Sequence, residues 1–294
     1  MPRLIVNADD FGLARGVNRG IEKAAEAGTL SSVSVLVTET TTSEIADFAR
    51  RWPKISVGIH LNLTQGYPLL SPKEIPSLLT KGGKFYHRRE LLYRSSAGLI
   101  KPAHIKAEIQ AQLGQLHNLG ITPSHADFHQ GLVLLPGVFP HVLMALRNAG
   151  IKRMRGHRVL YLHGIDTGIT RKVYNTLKFH QKRPRQAITF TYRHLLLRLE
   201  RILGFSVPDG LVTEGTIFPP ERKTCIERIC WGLENLPEDF TAELMTHPAI
   251  VHGHLRRVTT FVDQRERDLT LLTSPAFKEA LQKANIKLIS YREL

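Results

Sequence analysis

Short apolar runs alternate with helix-like stretches along most of the chain, and this alternation constrains the fold more than any other feature. Residues 4–6 form an apolar run, residues 17–27 place Val17, Ile21, Ala24 and Ala25 on one helical face before Gly28, and 32–37 read as a strand. Residues 44–51 predict a helix ended by Trp52-Pro53, 55–59 a strand, 103–119 an amphipathic helix stopped at Gly120, and 122–126 a short extended piece. A helix over 138–149 stops at Gly150, and 151–154 follows. After a long basic middle come an extended segment at 211–217, a helix at 225–233, a strand at 241–245, helices near 263–272 and 275–284, and a last strand at 286–290. Repeated strand–helix units imply a parallel sheet covered by helices. The 294 residues suit one α/β domain spanning 1–294, an irregular (β/α) TIM-like barrel with an insertion at about 157–210, better than an open doubly wound sheet. Neither a GxGxxG nor a GxxxxGK[ST] phosphate loop is present.

Lys and Arg number 40 against 26 Asp and Glu, a formal charge of +14, which suggests an anionic partner: nucleic acid, phosphate or a membrane surface. The opening MPRLIVNADD has no basic start followed by a long apolar run, and no stretch of about 18 apolar residues exists, so a cytoplasmic protein is expected. Cys225 and Cys230 are the only cysteines, and their spacing is not that of a CxxC site; reduced thiols are expected.

Metal-capable residues gather at the ends of the expected strands. Asp9 and Asp10 end the first, His60 ends the run through Ile59, and His125 follows Ile121-Thr122-Pro123-Ser124 with Asp127 and His129 just beyond. His247 follows residues 243–246. In (β/α) barrels the loops after the strands converge on one mouth, so these distant residues would meet there. Imidazole and carboxylate donors suit a borderline divalent ion, and two His with one Asp leave positions open for water and substrate. A second carboxylate beside the ion can act as a base. Taken singly, each residue has an ordinary explanation: an Asp pair at a turn, a satisfied core histidine, a surface loop, a strand exit. Their coincidence at matching strand ends favours the metal site.

At these residues the chain resembles the YdjC-like carbohydrate deacetylases, the ChbG/HpnK group. NADDFG at 7–12 looks like the family's opening motif, GIHLNLTQGYPLL at 58–70 and SLLTKGGKF at 77–85 like its second block, HADFHQ at 125–130 like its third, and ELMTHP at 243–248 like its late histidine block. The resemblance implies an irregular barrel and removal of an acetyl group from an N-acetylated sugar by one divalent ion, whether Zn²⁺, Mg²⁺, Ni²⁺, Co²⁺ or Mn²⁺. Carried over position by position, Asp10, His60 and His125 would bind the metal and Asp9 would be the general base. His247 would be a candidate acid or oxyanion stabiliser. Arg155 or Arg153, with Asp127, Phe128 and His129, would border the substrate. Phe128 stands where the family usually has Ser, and Gln130 where another His is common. That departure looks closer to the hopanoid-associated HpnK branch, whose substrates would be glycolipids.

Residues 171–201 hold many Lys and Arg but a single acid, Glu200. Within 192–205, Leu195, Leu199, Ile202 and Leu203 form a stripe, with Arg193, Arg198 and Arg201 largely outside it. The segment reads as an inserted helical hairpin with a solvated face, or as a basic amphipathic helix lying on an anionic membrane. Stacking aromatics are sparse there, so no nucleic-acid partner is expected. A homodimer is compatible with either reading. The rival functions are a metal-dependent phosphoesterase and a non-enzymatic binder of anionic membrane or nucleic acid.

Overall fold

The computed structural model describes residues 1–135, 137–160, 162–163, 184–213, 217–218, 225–234, 238 and 240–294. Its strands are β1 (Arg3–Phe11), β2 (Ser32–Val35), β3 (Ser56–Leu61), β4 (Ala126–Phe128), β5 (Leu162–His163), β6 (Gly210–Val212), β7 (Ile217–Phe218), β8 (Thr241–Thr246) and β9 (Lys287–Leu288). The main sheet runs β4-β3-β2-β1-β8-β6, with β9 paired to the start of β1, and every pairing is parallel. β5 and β7 pair separately.

The expected alternation is present. The helix Arg15–Ala27 buries Val17, Ile21, Ala24 and Ala25 and ends at Gly28, whose φ of 74° is a left-handed cap. Helices Ile45–Arg51, Pro102–Asn118, Phe139–Asn148, Asp263–Thr273 and Pro275–Lys283 lie within a residue or so of the expected ones. Both faces of β1 are buried, as a parallel strand under helices requires, and its apolar residues Leu4, Ile5 and Val6 run consecutively rather than alternating.

The two faces of the sheet nevertheless differ in chemistry. Leu4, Val6 and Ala8 join the large apolar core, while Ile5 packs with Ile289 and Tyr291 on the other face. On that second face sit Asn7, Ser34 and Ser56, joined by the bonds Asn7 Nδ2 to Ser34 Oγ (2.9 Å) and Ser56 Oγ to Ser32 Oγ (2.9 Å). Small polar side chains there leave room for the site above them.

Two irregularities matter. Residues 151–154 form no strand of their own. Instead residues 152–160 hydrogen-bond to both edges of the sheet: Arg155 N donates to Ala126 O (3.0 Å) beside β4, and Leu160 N to Leu211 O (2.8 Å) in β6. Along the basic middle, Pro184–Ile202 is a helix, whereas residues 164–183 lie outside the described residues, as does part of the expected insertion. Of the expected stripe on that helix, Leu195, Leu199 and Ile202 are exposed, while Leu196, Leu197 and Glu200 are buried.

Candidate active site

β1 was expected to end at the Asp pair, but it runs on to Phe11 through an irregularity. Its register against β2 shifts between Ala8 and Phe11, and Asp10 has φ 68°, a left-handed backbone uncommon for a residue other than glycine. On a regular strand neighbouring side chains face opposite sides. The turn at Asp10 lets both carboxylates reach the same cavity, of about 650 Å³, which Asp9, Asp10, His60, His129, Arg155, His247 and Arg265 help to line. Just beyond, Gly12 has φ 101°, and a Cβ there would lie 2.7 Å from Thr42 Oγ1.

The register of the sheet brings in the rest. Pairing of His60 with Asp127 across β3 and β4 puts them side by side, and pairing of Ala8 with Thr246 sets His247 beside Asp9. His60 Nδ1 lies 2.6 Å from Asp127 Oδ1, and its Nε2 lies 3.3 Å from Asp10 Oδ1. His129 approaches the same oxygen through Nδ1 at 3.0 Å, while its Nε2 meets Gln65 Oε1 at 3.0 Å. Asp10, His60 and His129 thus offer ligand atoms all within 4.8 Å of one another, and Asp9, His60 and Asp127 form a second such group. Burial pushes the Asp10 carboxyl up, but His129, His60 and Arg265 outweigh it and hold it well below the usual carboxylate range. Burial lowers the His60 pKa, yet Asp127, Asp10 and Asp9 raise it to about 10.

His125 is not in either group. β4 begins at Ala126 rather than ending there, so His125 enters the strand from the end remote from the cavity, with Asp127 and His129 successively nearer the mouth. Its ring stacks on Tyr291 at 3.7 Å and 9°, and its nitrogens meet Ser34 Oγ (3.2 Å) and Ser124 Oγ (2.9 Å). Gly58 makes space for it, since a Cβ there would lie 2.3 Å from His125 Cε1. Among the described residues the structure thus brings Asp10 and His60 together with His129, and the expected third ligand, His125, lies apart from them. Burial dominates at His125 and, with Arg155 and His60, carries its pKa down to about 3 against the pull of Asp127 and Asp9.

Of the two candidate arginines, Arg155 is the one at the site; Arg153 instead donates to Arg292 O (3.2 Å) at the surface. Arg155 donates to Asp9 through Nη1 (2.8 Å) and Nη2 (2.6 Å), and its Nη2 also lies 2.8 Å from Asp127 Oδ2. Its Nε donates to Glu243 Oε1 (2.9 Å). Asp127 also accepts from Ser34 Oγ (2.7 Å); burial pushes its carboxyl up, but Arg155 and His60 override this and hold it far below the usual range. Arg155 and Asp127, expected against the substrate, both belong to this buried network, and Arg155 also lines the cavity. Tyr291 completes the network, donating from its hydroxyl to Glu243 Oε2 (2.5 Å). Phe128 lines the cavity, edge-on to Phe139 at 5.3 Å.

His247 Nε2 lies 3.5 Å from Asp9 Oδ2, and its backbone N–H donates to Asp268 Oδ2 (2.7 Å). Burial lowers its pKa, against the pull of Asp9 and Asp10. Arg265 went unread in the sequence, yet its Nη2 donates to Asp10 Oδ2 at 2.5 Å. It lies in a polar helix with no motif around it. Glu243, by contrast, opens the quoted ELMTHP block and could have been found by its place two residues from Met245 on the same strand face.

The site can be compared with known proteins. Among curated proteins, the carbohydrate deacetylase of Halalkalibacterium halodurans is 37% identical over 92% of this chain and 95% of its own. That of Geobacillus stearothermophilus is 30% identical over 100% and 98%, and that of Mus musculus 30% over 99% and 94%. A candidate cellobiose-phosphate cleavage protein from Enterococcus faecalis V583 shares the fold, with a TM-score of 0.74 at 23% identity across 99% of this chain and 98% of that one. The YdjC-like protein model matches residues 3–283, and the chain belongs to that family.

Proposed function

We propose that this enzyme, a hydrolase of the carbohydrate deacetylase kind, removes the acetyl group from an N-acetylated sugar with one divalent ion held by Asp10, His60 and His129. One observation carries the ion site. Each histidine turns one nitrogen toward Asp10 and has the other engaged by an acceptor, Asp127 for His60 and Gln65 for His129. An acceptor on one ring nitrogen keeps the proton there, so that the second nitrogen would give its lone pair to a bound cation in place of a proton, the arrangement metal-binding histidines need. Two imidazoles and one carboxylate suit a borderline divalent cation, of which Zn²⁺, Ni²⁺, Co²⁺ and Mn²⁺ are examples, and Mg²⁺ is a harder alternative.

When bound, the ion would polarise the acetyl carbonyl and lower the pKa of a water. The protein's own groups do the rest. Asp9 sits beside the ion ligands with its carboxylate fixed in plane by Arg155, and takes the proton of the attacking water as general base. His247 Nε2, 3.5 Å from Asp9 Oδ2, is placed to pass a proton to the departing amine. Burial keeps its ring neutral at rest, so it receives that proton during the reaction rather than carrying it beforehand. Products are acetate and a free amino sugar. The seven-stranded parallel sheet and the segment 152–160, which bonds to both of its edge strands, support a TIM-like barrel, with the site at the C-terminal ends of its strands.

Phe128 and the helix Pro184–Ile202 support a finer reading of the substrate. Phe128 gives the cavity an apolar wall, which suits a sugar carried on a lipid of the hopanoid type. Leu195, Leu199 and Ile202, 58%, 37% and 80% exposed, lie along one side of that helix, whose sequence also supplies Arg198 and Arg201. That pairing suits an anionic membrane surface. No helix among the described residues is long and apolar enough to cross a membrane.

The decisive experiment is acetate release from a panel of N-acetylated monosaccharides, oligosaccharides and glycolipids, with and without chelator. Chelator-sensitive release is expected; activity unaffected by exhaustive chelation refutes the ion. Cosedimentation with anionic liposomes at low salt, abolished at high salt, is the outcome expected of the helix, and absence of binding at low salt ends that part.

A further inference from the structure

Glu200 is the single acid in a stretch otherwise rich in Lys and Arg, yet it does not face solvent with them. It is fully buried, and its Oε1 pairs with Nδ1 of His157 through a short hydrogen bond. Its other oxygen has no hydrogen-bond partner. His157 is only 3% exposed, and its ring is fixed by Phe128 at 5.5 Å and Phe139 at 5.3 Å. Among the described residues no hydrogen bond joins this pair to the network around Asp9 and Asp10, so it stands apart from the ion ligands and the base.

His157 nevertheless lines the same cavity, on a wall shared with Phe128, Val159 and Leu211. Its Nε2 has no hydrogen-bond partner among the described residues, and it is not one of the atoms sealed from solvent. A carboxylate at Nδ1 keeps a proton on that nitrogen. Nε2 is then an acceptor in the neutral ring and a donor in the cation. A hydroxyl pairs with either form, being donor and acceptor at once. A ligand that meets this wall needs an apolar face for Phe128 and a hydroxyl at its margin, which is the pattern of a pyranose ring.

We infer that His157 binds a hydroxyl of the sugar, with Glu200 as its positioning residue. The inference rests on the proposed sugar substrate. It makes the wall of Phe128 and His157 a specificity element distinct from the groups that cleave the amide.

The test uses the full chain and a substrate from the acetate-release panel, with its singly deoxygenated analogues. Loss of one hydroxyl bond corresponds to about a three- to tenfold weakening. His157→Phe should raise KM by that factor with kcat nearly unchanged, and should erase the wild-type penalty for one deoxy position while leaving the others. Glu200→Leu should raise KM likewise, and Glu200→Gln, which still offers an acceptor to Nδ1, should restore it. Melting temperatures of all three variants separate misfolding from lost contact. If the sugars are turned over but His157→Phe leaves KM and every deoxy penalty unchanged, the inference is wrong while the deacetylase reading stands. If the sugars bind by calorimetry without turnover, the same comparison is read in Kd, and if they neither bind nor react, both readings fall.

Discussion

Asp9 and Asp10 are neighbours in the chain but are served by different arginines: Arg155 donates to both oxygens of Asp9, and Arg265 to one oxygen of Asp10. The other oxygen of Asp10 is left to His60 and His129. The left-handed turn at Asp10 makes this division possible, because it lets two adjacent side chains enter one cavity with separate surroundings.

Asp9→Asn keeps the shape of the base and removes its ability to take a proton. Turnover should fall by about 10²- to 10⁴-fold with the bound metal retained. Acetate release alongside metal analysis checks this, and an Asn variant with the wild-type rate would reassign the base.

The exchange of His125 for His129 separates two kinds of damage. His60→Ala and His129→Ala should each lose stoichiometric metal and activity. His125→Ala should keep the metal but lose about 3 kcal/mol of stability, because it opens a cavity under Gly58 and Tyr291. Metal content and denaturant midpoints on the three variants decide it. Metal loss in His125→Ala with His129→Ala unaffected would restore the set expected from sequence.

Arg155 is the sole arginine bonded to Asp9, Asp127 and Glu243 among the described residues. Arg155→Met leaves buried carboxylates without their counter-charge and should cost about 3–5 kcal/mol. Arg155→Lys should recover only part of this, since one ammonium cannot reproduce the fork that spans the three acids. Equilibrium unfolding at pH 7 measures both.

His125 also sets a pH dependence. Its folded pKa of about 3 lies below the ordinary value of 6.5, so between those values the unfolded chain binds a proton that the native state refuses. Its contribution is fully present above pH 6.5 and fades as pH falls toward 3. The loss of stability on moving from pH 7 to pH 5 should be smaller in His125→Phe than in wild type. Equal slopes would show that the histidine is not held neutral.

Much of the fold was legible because helical spacing and glycine stops are local signals: Val17 to Ala25 before Gly28 needed no tertiary information. Strand starts were harder. Residues 122–126 looked extended, but pairing of Ile59 with Ala126 begins β4 later, and that shift of a few residues moved His125 away from the mouth. The motif 125–130 contains both histidines, and sequence spacing alone cannot say which end of a strand each occupies. Arg265 and Tyr291 were invisible for another reason. Their partners, Asp10 and Glu243, lie 255 and 48 residues away, and nothing local marks either as polar network members.

β1 lies at the centre of the sheet, with β2 and, beside its first residues, β9 on one flank and β8 on the other. During synthesis the first flank is covered beside residues 7–11 once residue 35 has emerged, whereas the second stays open until residue 246, more than two hundred positions later. Through that interval the nascent chain carries a strand with unpaired amides, bearing Asp10, whose Arg265 on the far helix has yet to be made. Delayed pairing of this kind slows folding and exposes sticky edges. Production of the protein should therefore respond to chaperone supply and to slower growth temperature more than its finished stability would suggest.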